Sequence, residues 1–350
     1  GGGCPHILAE PQRTNLVTDS ESYTGYFNNS GTLIYNNTTS PDGLENGAKN
    51  YASTTGSFKG FSKSYGSTLN NTAYTLSIFA KAGEFDDLYF YNIGAPSGNG
   101  GVWFNLSTGN VGTTSASWSS AKMESFGNGW YRCSAVITPS GTSDNLYILL
   151  ADANNSVIAT ANGTDGYYIW GAQLEEGSYA TSYIPTSGST VTRNQDIFTR
   201  DGIGSLINST EGVLFVEMAA LSDDDGNRYI SISDGNLNSN SIRIYYYLSG
   251  GYVFIQKYVG GTRTTNLSTN SLTNTDFNKI AIRYNSTTVD VWANGVQILT
   301  NADTNVIASG TLNCLNFTKG GGGDNFFGKV KQLQVYQTSL SDTQLAALTS

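Results

Sequence analysis

Aromatic side chains are the residues of this chain whose types and spacing could recognise a ligand. There are 22 Tyr and 5 Trp among 350 residues, and only 13% of the residues are charged. Flat aromatic faces pack against the C–H surfaces of sugars, while Asn, Asp and Gln side chains satisfy sugar hydroxyls. The candidate glycan contacts are rings that alternate along predicted strands or lie in Gly- or Ser-rich surroundings: Tyr89, Tyr91, Trp103, Trp118, Tyr245, Tyr247 and Tyr252.

The same rings have a structural interpretation. Aromatic residues fill cross-strand pairs in antiparallel sheets and bury subunit interfaces. Tyr245, Tyr247 and Tyr252 are predicted to form a side-by-side patch across a hairpin at Gly250-Gly251. A subunit-interface location for Tyr89 or Tyr245 would favour the structural role over sugar binding.

A run of acidic residues is the candidate metal site. The carboxylates of Asp223, Asp224 and Asp225, followed by Gly226 and Asn227, place several oxygen ligands in one loop. Hard cations such as Ca²⁺ prefer such ligands, but the run lacks EF-hand spacing. The sequence therefore leaves two alternatives, a Ca²⁺ site and a solvated turn.

Catalytic constellations are poorly represented. The single histidine, His6, would have to serve any His-dependent nucleophile. Glycosidases need two carboxylates across the scissile bond. Glu211 and Glu217 are six positions apart with apolar residues between them, and Glu175-Glu176 are adjacent and read as a turn. We therefore predict a protein that is not an enzyme and requires no cofactor, with Ca²⁺ as an option.

The charge and the hydropathy of the chain argue against two classes of partner, nucleic acids and membranes. The formal charge is −9, from 18 Lys+Arg and 27 Asp+Glu. Sequence-independent nucleic-acid binding relies on basic residues, so we expect none. No apolar run approaches the 18 residues of a membrane-spanning helix, so we expect no membrane insertion. The opening Gly-Gly-Gly-Cys-Pro-His stretch is unlike a signal peptide, and we expect a fragment or a processed product.

Alternating strands and turn clusters predict the elements that position these residues. Strands are expected in both halves, and no helical pattern alternates with them, which favours an all-β protein. Asn294-Gly295 predicts a tight hairpin, and Ser341 with Gln344 predicts a capping box at one short C-terminal helix. We predict two antiparallel β-sandwich (jelly-roll) domains in tandem, at 1–193 and 194–350.

Motifs of the first half resemble a known family. They are LAEPQRTNL at 8–16, YTLSIFAKAG at 74–83, GWYR at 129–132 and WGAQLEEGSYATSYIPT at 170–186. Together they resemble the carbohydrate-binding-module-like jelly rolls of bacteriophage tail and fibre proteins. The second half, with FNKIAIRY at 277–284, VWANG at 291–295 and GKVKQLQVY at 328–336, resembles concanavalin A-like, laminin G-like sandwiches.

These resemblances imply a virion attachment protein that recognises host-surface glycans without covalent chemistry. They imply a homo-oligomer, trimeric by family analogy, that contacts other virion proteins and is assembled in the host cytoplasm. Three alternatives remain open: a structural protein that decorates or braces the virion without binding sugar, a secreted bacterial adhesin, and a polysaccharide-cleaving enzyme, which a paired-carboxylate cleft would support.

Overall fold

The computed structural model describes residues 5–23, 26–29, 31–66, 72–93, 99–139, 144–222 and 226–350. They group into two compact units, Gln12–Asn194 and Gln195–Ser350, and the described residues before Gln12 belong to the second. We expected residues 5–11 in the first domain. They lie in the second unit because strand β1 (Ile7–Ala9) pairs with residues 328–330 and the Glu10 amide donates to Asp196 Oδ2 at 2.9 Å.

The first unit consists of antiparallel strands joined by turns. In chain order its described strands are β2 (Arg13–Asn15), β3 (Phe27–Asn29), β4 (Gly31–Thr38), β5 (Gly47–Ala52), β6 (Gly56–Ser57), β7 (Gly60–Gly66), β8 (Tyr74–Lys81), β9 (Asp87–Ile93), β10 (Gly100–Asn105), β11 (Asn110–Thr114), β12 (Trp118–Gly127), β13 (Trp130–Ile137), β14 (Asp144–Ala151), β15 (Ile158–Ala159), β16 (Gly166–Glu176) and β17 (Val191–Arg193).

Two six-stranded sheets form the body of this unit. Their strand orders are β11-β10-β9-β14-β7-β3 and β12-β13-β8-β16-β5-β4, with β15-β6 and β17-β2 as separate pairs. Phe90 and Ile148 from one sheet and Ile78 and Cys133 from the other belong to one buried apolar cluster. The alternation of each strand thus supplies one apolar face to a sandwich core.

The second unit repeats this architecture with a different strand order. Its remaining strands are β18 (Thr199–Arg200), β19 (Gly212–Ala220), β20 (Asn227–Ser233), β21 (Ser241–Tyr247), β22 (Tyr252–Val259), β23 (Thr262–Thr269), β24 (Asn278–Tyr284), β25 (Thr288–Ala293), β26 (Val296–Ala302), β27 (Cys314–Asn316) and β28 (Gly328–Tyr336). The two sheets are β1-β28-β19-β24-β25-β26 and β18-β27-β20-β21-β22-β23. Val216 and Ile282 from the first pack in one core with Ile244 and Ile255 from the second.

One helix closes the chain. Helix α1 (Asp342–Thr349) begins at Ser341, whose side chain accepts from the Gln344 amide while the Gln344 side chain accepts from the Ser341 amide. The predicted capping box is therefore confirmed. Leu345 is buried against Phe215 and Trp292 on the outer side of the β19–β25 sheet. The all-β sandwich prediction with one short C-terminal helix is also confirmed, and no helix in the described ranges has the length and apolarity needed to cross a bilayer.

Candidate functional site

Two of the predicted glycan contacts in the first unit are buried beneath a loop. The rings of Tyr89 and Trp103 stack on each other at 5.1 Å and 8°, and both are fully or nearly fully buried. Trp103 Nε1 donates to the carbonyl of Ser156 at 2.8 Å, and the Tyr89 hydroxyl to that of Val157 at 3.4 Å. Because both rings are buried and their polar atoms bond to the backbone of residues 156–157, the structure contradicts the prediction that they contact a glycan.

Trp118 and Tyr91 have different environments. Trp118 is buried in the sandwich core, 5.9 Å from Phe90, and its Nε1 donates to the carbonyl of Gly100 at 3.0 Å. Its predicted contact with sugar is therefore also wrong. Tyr91 is half-buried between Phe58, at 4.9 Å, and Tyr147, at 6.0 Å. It is the one ring of the first-unit candidates that keeps part of its surface exposed.

The second unit brings its three candidates together. Antiparallel registry pairs Tyr229 with Tyr245, Tyr245 with Phe254, and Tyr247 with Tyr252 across β20, β21 and β22. Side chains alternate along a strand, so these five residues share the outer surface while Ile230, Ile244 and Ile255 face the core. We call the surface formed by Tyr229, Tyr245, Tyr247, Tyr252 and Phe254 the aromatic face.

Ring geometry divides the aromatic face into a platform and a rim. Tyr229 stacks on Tyr245 at 4.1 Å and 17°, and Tyr245 stacks on Phe254 at 5.1 Å and 9°. Tyr247 meets Phe254 edge-on at 5.9 Å, and Tyr252 lies 6.0 Å from the same ring. Tyr229 and Tyr245 are each only 7% exposed, whereas Tyr247 is 41% and Tyr252 36% exposed. A ligand from solution can therefore reach the two rim tyrosines, which stand on a rigid platform.

Polar side chains border the platform along β22 and β23. Gln256 Nε2 donates to the Tyr245 hydroxyl at 3.2 Å and to Asn266 Oδ1 at 2.9 Å. Asn266 and Ser268 are exposed and lie opposite Gln256 and Phe254 in the register. Burial raises the pKa of Tyr245, so its hydroxyl stays protonated at neutral pH. The arrangement offers amide and hydroxyl groups beside open aromatic surface.

A buried arginine lies beside the platform on β21. Arg243 Nε donates to Ser241 Oγ at 2.8 Å and Nη1 donates to Asn238 Oδ1 at 2.9 Å. Its guanidinium lies 4.3 Å from the centre of the Tyr258 ring. Burial lowers the pKa of Arg243, yet an arginine remains charged at any ordinary pH. The sheet therefore carries a permanent positive charge, and the guanidinium that carries it packs against the ring of Tyr258.

Two of the carboxylates considered for catalysis, Glu217 and Glu175, are held in structural contacts. Glu217, on β19, is mostly buried and pairs with Lys331 at 3.2 Å. Glu175 is buried within β16, where it accepts from the Thr181 hydroxyl at 2.6 Å and from Gln173 Nε2 at 2.6 Å. The predicted turn at Glu175-Glu176 is wrong because both residues continue the strand. Each of these two carboxylates is held by neighbouring side chains.

Of the four candidate metal ligands, only Asn227 is among the described residues. Asp223, Asp224 and Asp225 lie outside the described residues, and Asn227 begins β20 at a half-buried position. Within the described ranges no three His, Cys, Asp or Glu side chains are grouped as metal ligands would be. The Ca²⁺ site stays a prediction.

Sequence reasoning missed the centre of the aromatic face. Phe254, which contacts three of the other rings, was not among the candidates. The signal was present, because Phe254 and Gln256 follow Tyr252 at two-residue spacing and must share its side of the strand.

The second unit matches a family model. Residues 214–346 match the concanavalin A-like lectin/glucanases superfamily, and this stretch contains the whole aromatic face. The resemblance expected for the second half is therefore confirmed at the level of this superfamily, whose sandwiches include lectins. No curated protein matches the chain.

Several solved structures resemble parts of the chain, each with a TM-score of 0.34. A CBM40 module of the Ruminococcus gnavus IT-sialidase, bound to α2,3 sialyllactose, is 17% identical and covers 44% of this chain and 98% of its own. A heptameric SAP-like pentraxin from Limulus polyphemus is 16% identical, with 41% and 72% covered. Domain 4 of a GH43 extracellular arabinanase from Geobacillus stearothermophilus, in complex with arabinotriose, is 14% identical, with 50% and 83% covered.

Proposed function

We propose that this chain is a non-catalytic attachment protein of a tail-fibre-type virion appendage, and that it binds carbohydrate on the host cell surface. The ligand is a surface polysaccharide or glycan that stacks on the rim of the aromatic face.

The observation that carries this proposal is the open pair of rings at the β21–β22 hairpin. Tyr247 and Tyr252 are the exposed members of an otherwise buried stack, and each lies within about 6 Å of Phe254. Stacked rings on paired strands lose little conformational freedom when a ligand binds, because they are already held in place. Ser268 lies opposite Phe254 and Asn266 opposite Gln256, so both are exposed polar groups at the border of the platform that can meet sugar hydroxyls.

Binding without cleavage is supported by the state of the carboxylates. A glycosidase needs one carboxyl group to protonate the leaving oxygen and a second on the other side of the sugar. Glu217 is paired with Lys331, and Glu175 is locked among hydrogen-bond donors inside the first unit. Neither is available to act on a sugar at the aromatic face.

The virion setting is supported by the motifs of the first half, such as the segments at 74–83 and 170–186. In this setting the chain is a homo-oligomer, trimeric by analogy, that contacts other virion proteins after assembly in the host cytoplasm. Copy number then multiplies a modest affinity per site. The formal charge of −9 supports a partner other than nucleic acid.

The test is a glycan array probed with the intact chain, first with Ca²⁺ and then with EDTA, followed by a reducing-end assay on each hit. The variant is Tyr247→Ser/Tyr252→Ser. The matched control is Phe126→Ser, which removes an exposed aromatic ring from the first unit (51% exposed).

Saturable binding that produces no new reducing ends, and that the double variant loses while the control keeps it, supports the proposal. New reducing ends would overturn the non-catalytic role. A folded chain that binds no host-derived glycan would leave the structural decoration role. EDTA sensitivity would implicate the Asp223 loop.

A further inference from the structure

The first unit contains a cavity unconnected with the aromatic face. Its volume is about 300 Å³, and it opens between strands β4, β5 and β7 and the segment that precedes β3. The residues that line it are Tyr23, Tyr26, Gly31, Thr32, Leu33, Tyr35, Asn50 and Phe61.

Three aromatic rings form one wall of the cavity, and one of these residues, Tyr23, has a strained backbone. The rings of Tyr23, Tyr26 and Phe61 lie 5.2 to 5.8 Å from one another. Tyr23 has φ of 51°, a left-handed conformation that is unusual for a residue with a side chain. Its amide donates to the Asp19 carbonyl and its carbonyl accepts from the Tyr26 amide, so this turn is held by hydrogen bonds.

Close strand approach shapes the opposite wall. A Cβ on Gly31 would lie 2.5 Å from the carbonyl oxygen of Gly60, so only glycine fits there. Further along β4, the Tyr35 hydroxyl donates to the carbonyl of Ser22 and ties the strand to the segment before Tyr23. Hydrogen bonds therefore hold the backbone at Tyr23, and the requirement for glycine at position 31 holds the two strands close together on the opposite wall.

Two buried polar atoms of lining residues have no hydrogen-bond partner among the described residues. Asn50 is completely buried, and its Nδ2 donates to the Tyr167 hydroxyl at 3.0 Å, which leaves Oδ1 without a donor. The hydroxyl of Tyr23 is likewise unpartnered. Buried polar groups are nearly always satisfied, so two such exceptions in the lining of one cavity point to a partner inside it, either water or a ligand.

The lining defines the chemistry of that molecule. None of the eight lining residues carries a charge, and the Lys63 ammonium, 5.5 Å from the centre of the Tyr26 ring, lies outside the lining, which therefore favours a neutral ligand. Burial raises the pKa of Tyr23 well above its usual value, so its hydroxyl stays neutral. The ligand must donate to an amide oxygen while its body packs on aromatic rings. The volume is at the lower limit of ordinary ligand pockets and admits one ring-sized unit.

We propose that this cavity is a second ligand site and that it binds a single neutral sugar unit, with a ring hydroxyl donating to Asn50 Oδ1. The site is in the other unit from the aromatic face and does not depend on it.

The test is saturation-transfer NMR with the intact chain and the methyl pyranosides of glucose, galactose, mannose and N-acetylglucosamine. Leu33→Trp fills the cavity, because Leu33 lines it, lies opposite Asn50 in the β4–β5 register and therefore shares the same face of the sheet. Tyr35→Ala removes a lining ring that is 44% exposed, together with its hydrogen bond to the Ser22 carbonyl. Tyr247→Ser/Tyr252→Ser is the control for the aromatic face.

We expect transfer to at least one pyranoside, an affinity at least tenfold weaker in Leu33→Trp, a smaller loss in Tyr35→Ala, and no loss in the aromatic-face control. Absence of transfer to all four probes overturns the proposal. So does transfer that both cavity variants preserve, or a crystal structure at saturating pyranoside with only water on Asn50 Oδ1. Loss confined to the aromatic-face control refutes this inference alone and leaves the proposed function standing.

Discussion

A buried ion pair on the inner side of β22 tests what stabilises the sheet that carries the aromatic face. Lys257 lies on β22 between outward-facing neighbours and points to the other side, where its Nζ is 3.5 Å from Asp303 Oδ2. Both side chains are almost completely buried. The hydroxyls of Thr264 and Thr265 donate to the same carboxylate at 2.7 and 2.6 Å. The perturbation we consider is Lys257→Met, which keeps the apolar stem and removes the charge.

The geometry sets the magnitude. At 3.5 Å the Coulomb attraction is about 5 kcal/mol for an effective dielectric of about 20, before the cost of desolvation is subtracted. Removing one partner from a buried pair costs about 3–5 kcal/mol, because the other charge is left uncompensated. Thr264, Thr265 and Asn305 still donate to Asp303 in the variant. We therefore expect the lower end of that range, a loss of about 3 kcal/mol in the unfolding free energy of the second unit.

Hydrogen exchange followed by mass spectrometry measures the stability of each unit separately, from the exchange rates of its backbone amides. A loss of about 3 kcal/mol raises the exchange rate of the most protected amides about 150-fold where they open by unfolding. We expect this change in β21 and β22 and none in β9 of the first unit. The matched control is Lys319→Met, which breaks the exposed Lys319–Asp324 pair and costs at most about 1 kcal/mol. If Lys257→Met exchanges no faster than this control, the reasoning is refuted.

Low pH should weaken the same ion pair, Lys257–Asp303. Burial opposes ionisation of Asp303, but hydrogen bonds from Thr265, Asn305 and Thr264 outweigh it and hold the pKa of this carboxyl below its usual range. A group with a lowered pKa in the folded state stabilises the fold above its unfolded pKa, about 3.9, and this contribution disappears as the pH falls further. The second unit should therefore lose stability below about pH 4, and Asp303→Asn should flatten this dependence in urea titrations.

Three further variants test glycan binding at the aromatic face and the stability of the first unit. Tyr247 is 41% exposed, so a sugar on one ring face would cover about 30–50 Å² and contribute about 0.8–1.3 kcal/mol; Tyr247→Ala should weaken binding about four- to eightfold by calorimetry. Trp118→Ala leaves a core cavity and should lower first-unit stability by about 3–5 kcal/mol without changing binding at the aromatic face. Glu175→Ala leaves the Thr181 hydroxyl and amide unpaired and should cost about 1–3 kcal/mol in thermal unfolding, whereas an equal melting temperature would contradict its structural role.

Strands with strict alternation could be predicted from the sequence. The sequence predicts strands at 87–93, 130–137 and 252–259, and these limits coincide with β9, β13 and β22. In each, apolar residues repeat at two-residue spacing between turn residues, which is the pattern of a half-buried strand. The strands of residues 27–66 were not predicted. The sequence of β4, GTLIYNNT, and that of β5, GAKNYA, mix small and polar residues because these strands lie toward the edge of their sheet.

The composition of the aromatic face could also be predicted in part. Alternation places Tyr245 and Tyr247 on one side of β21, and the adjacent hairpin brings Tyr252 opposite Tyr247. The degree of burial could not be predicted, because it depends on segments distant in the chain. The cavity around Asn50 was missed for the same reason, since its walls come from several strands and the segment before β3.

Both units carry stacked aromatic rings on the outer side of a sheet, and a covering loop decides which of them can bind a ligand. Over Tyr89 and Trp103, residues 152–160 are anchored by the Trp103 indole and by the Phe58 amide, which donates to the carbonyl of Val157. These bonds satisfy the polar atoms that a sugar would otherwise meet. At Tyr247 and Tyr252 the rings remain exposed. Since sugar recognition needs open ring surface together with available hydrogen-bonding groups, only the second of these two ring stacks, on β20–β22, meets the requirements of the glycan contact that we propose there.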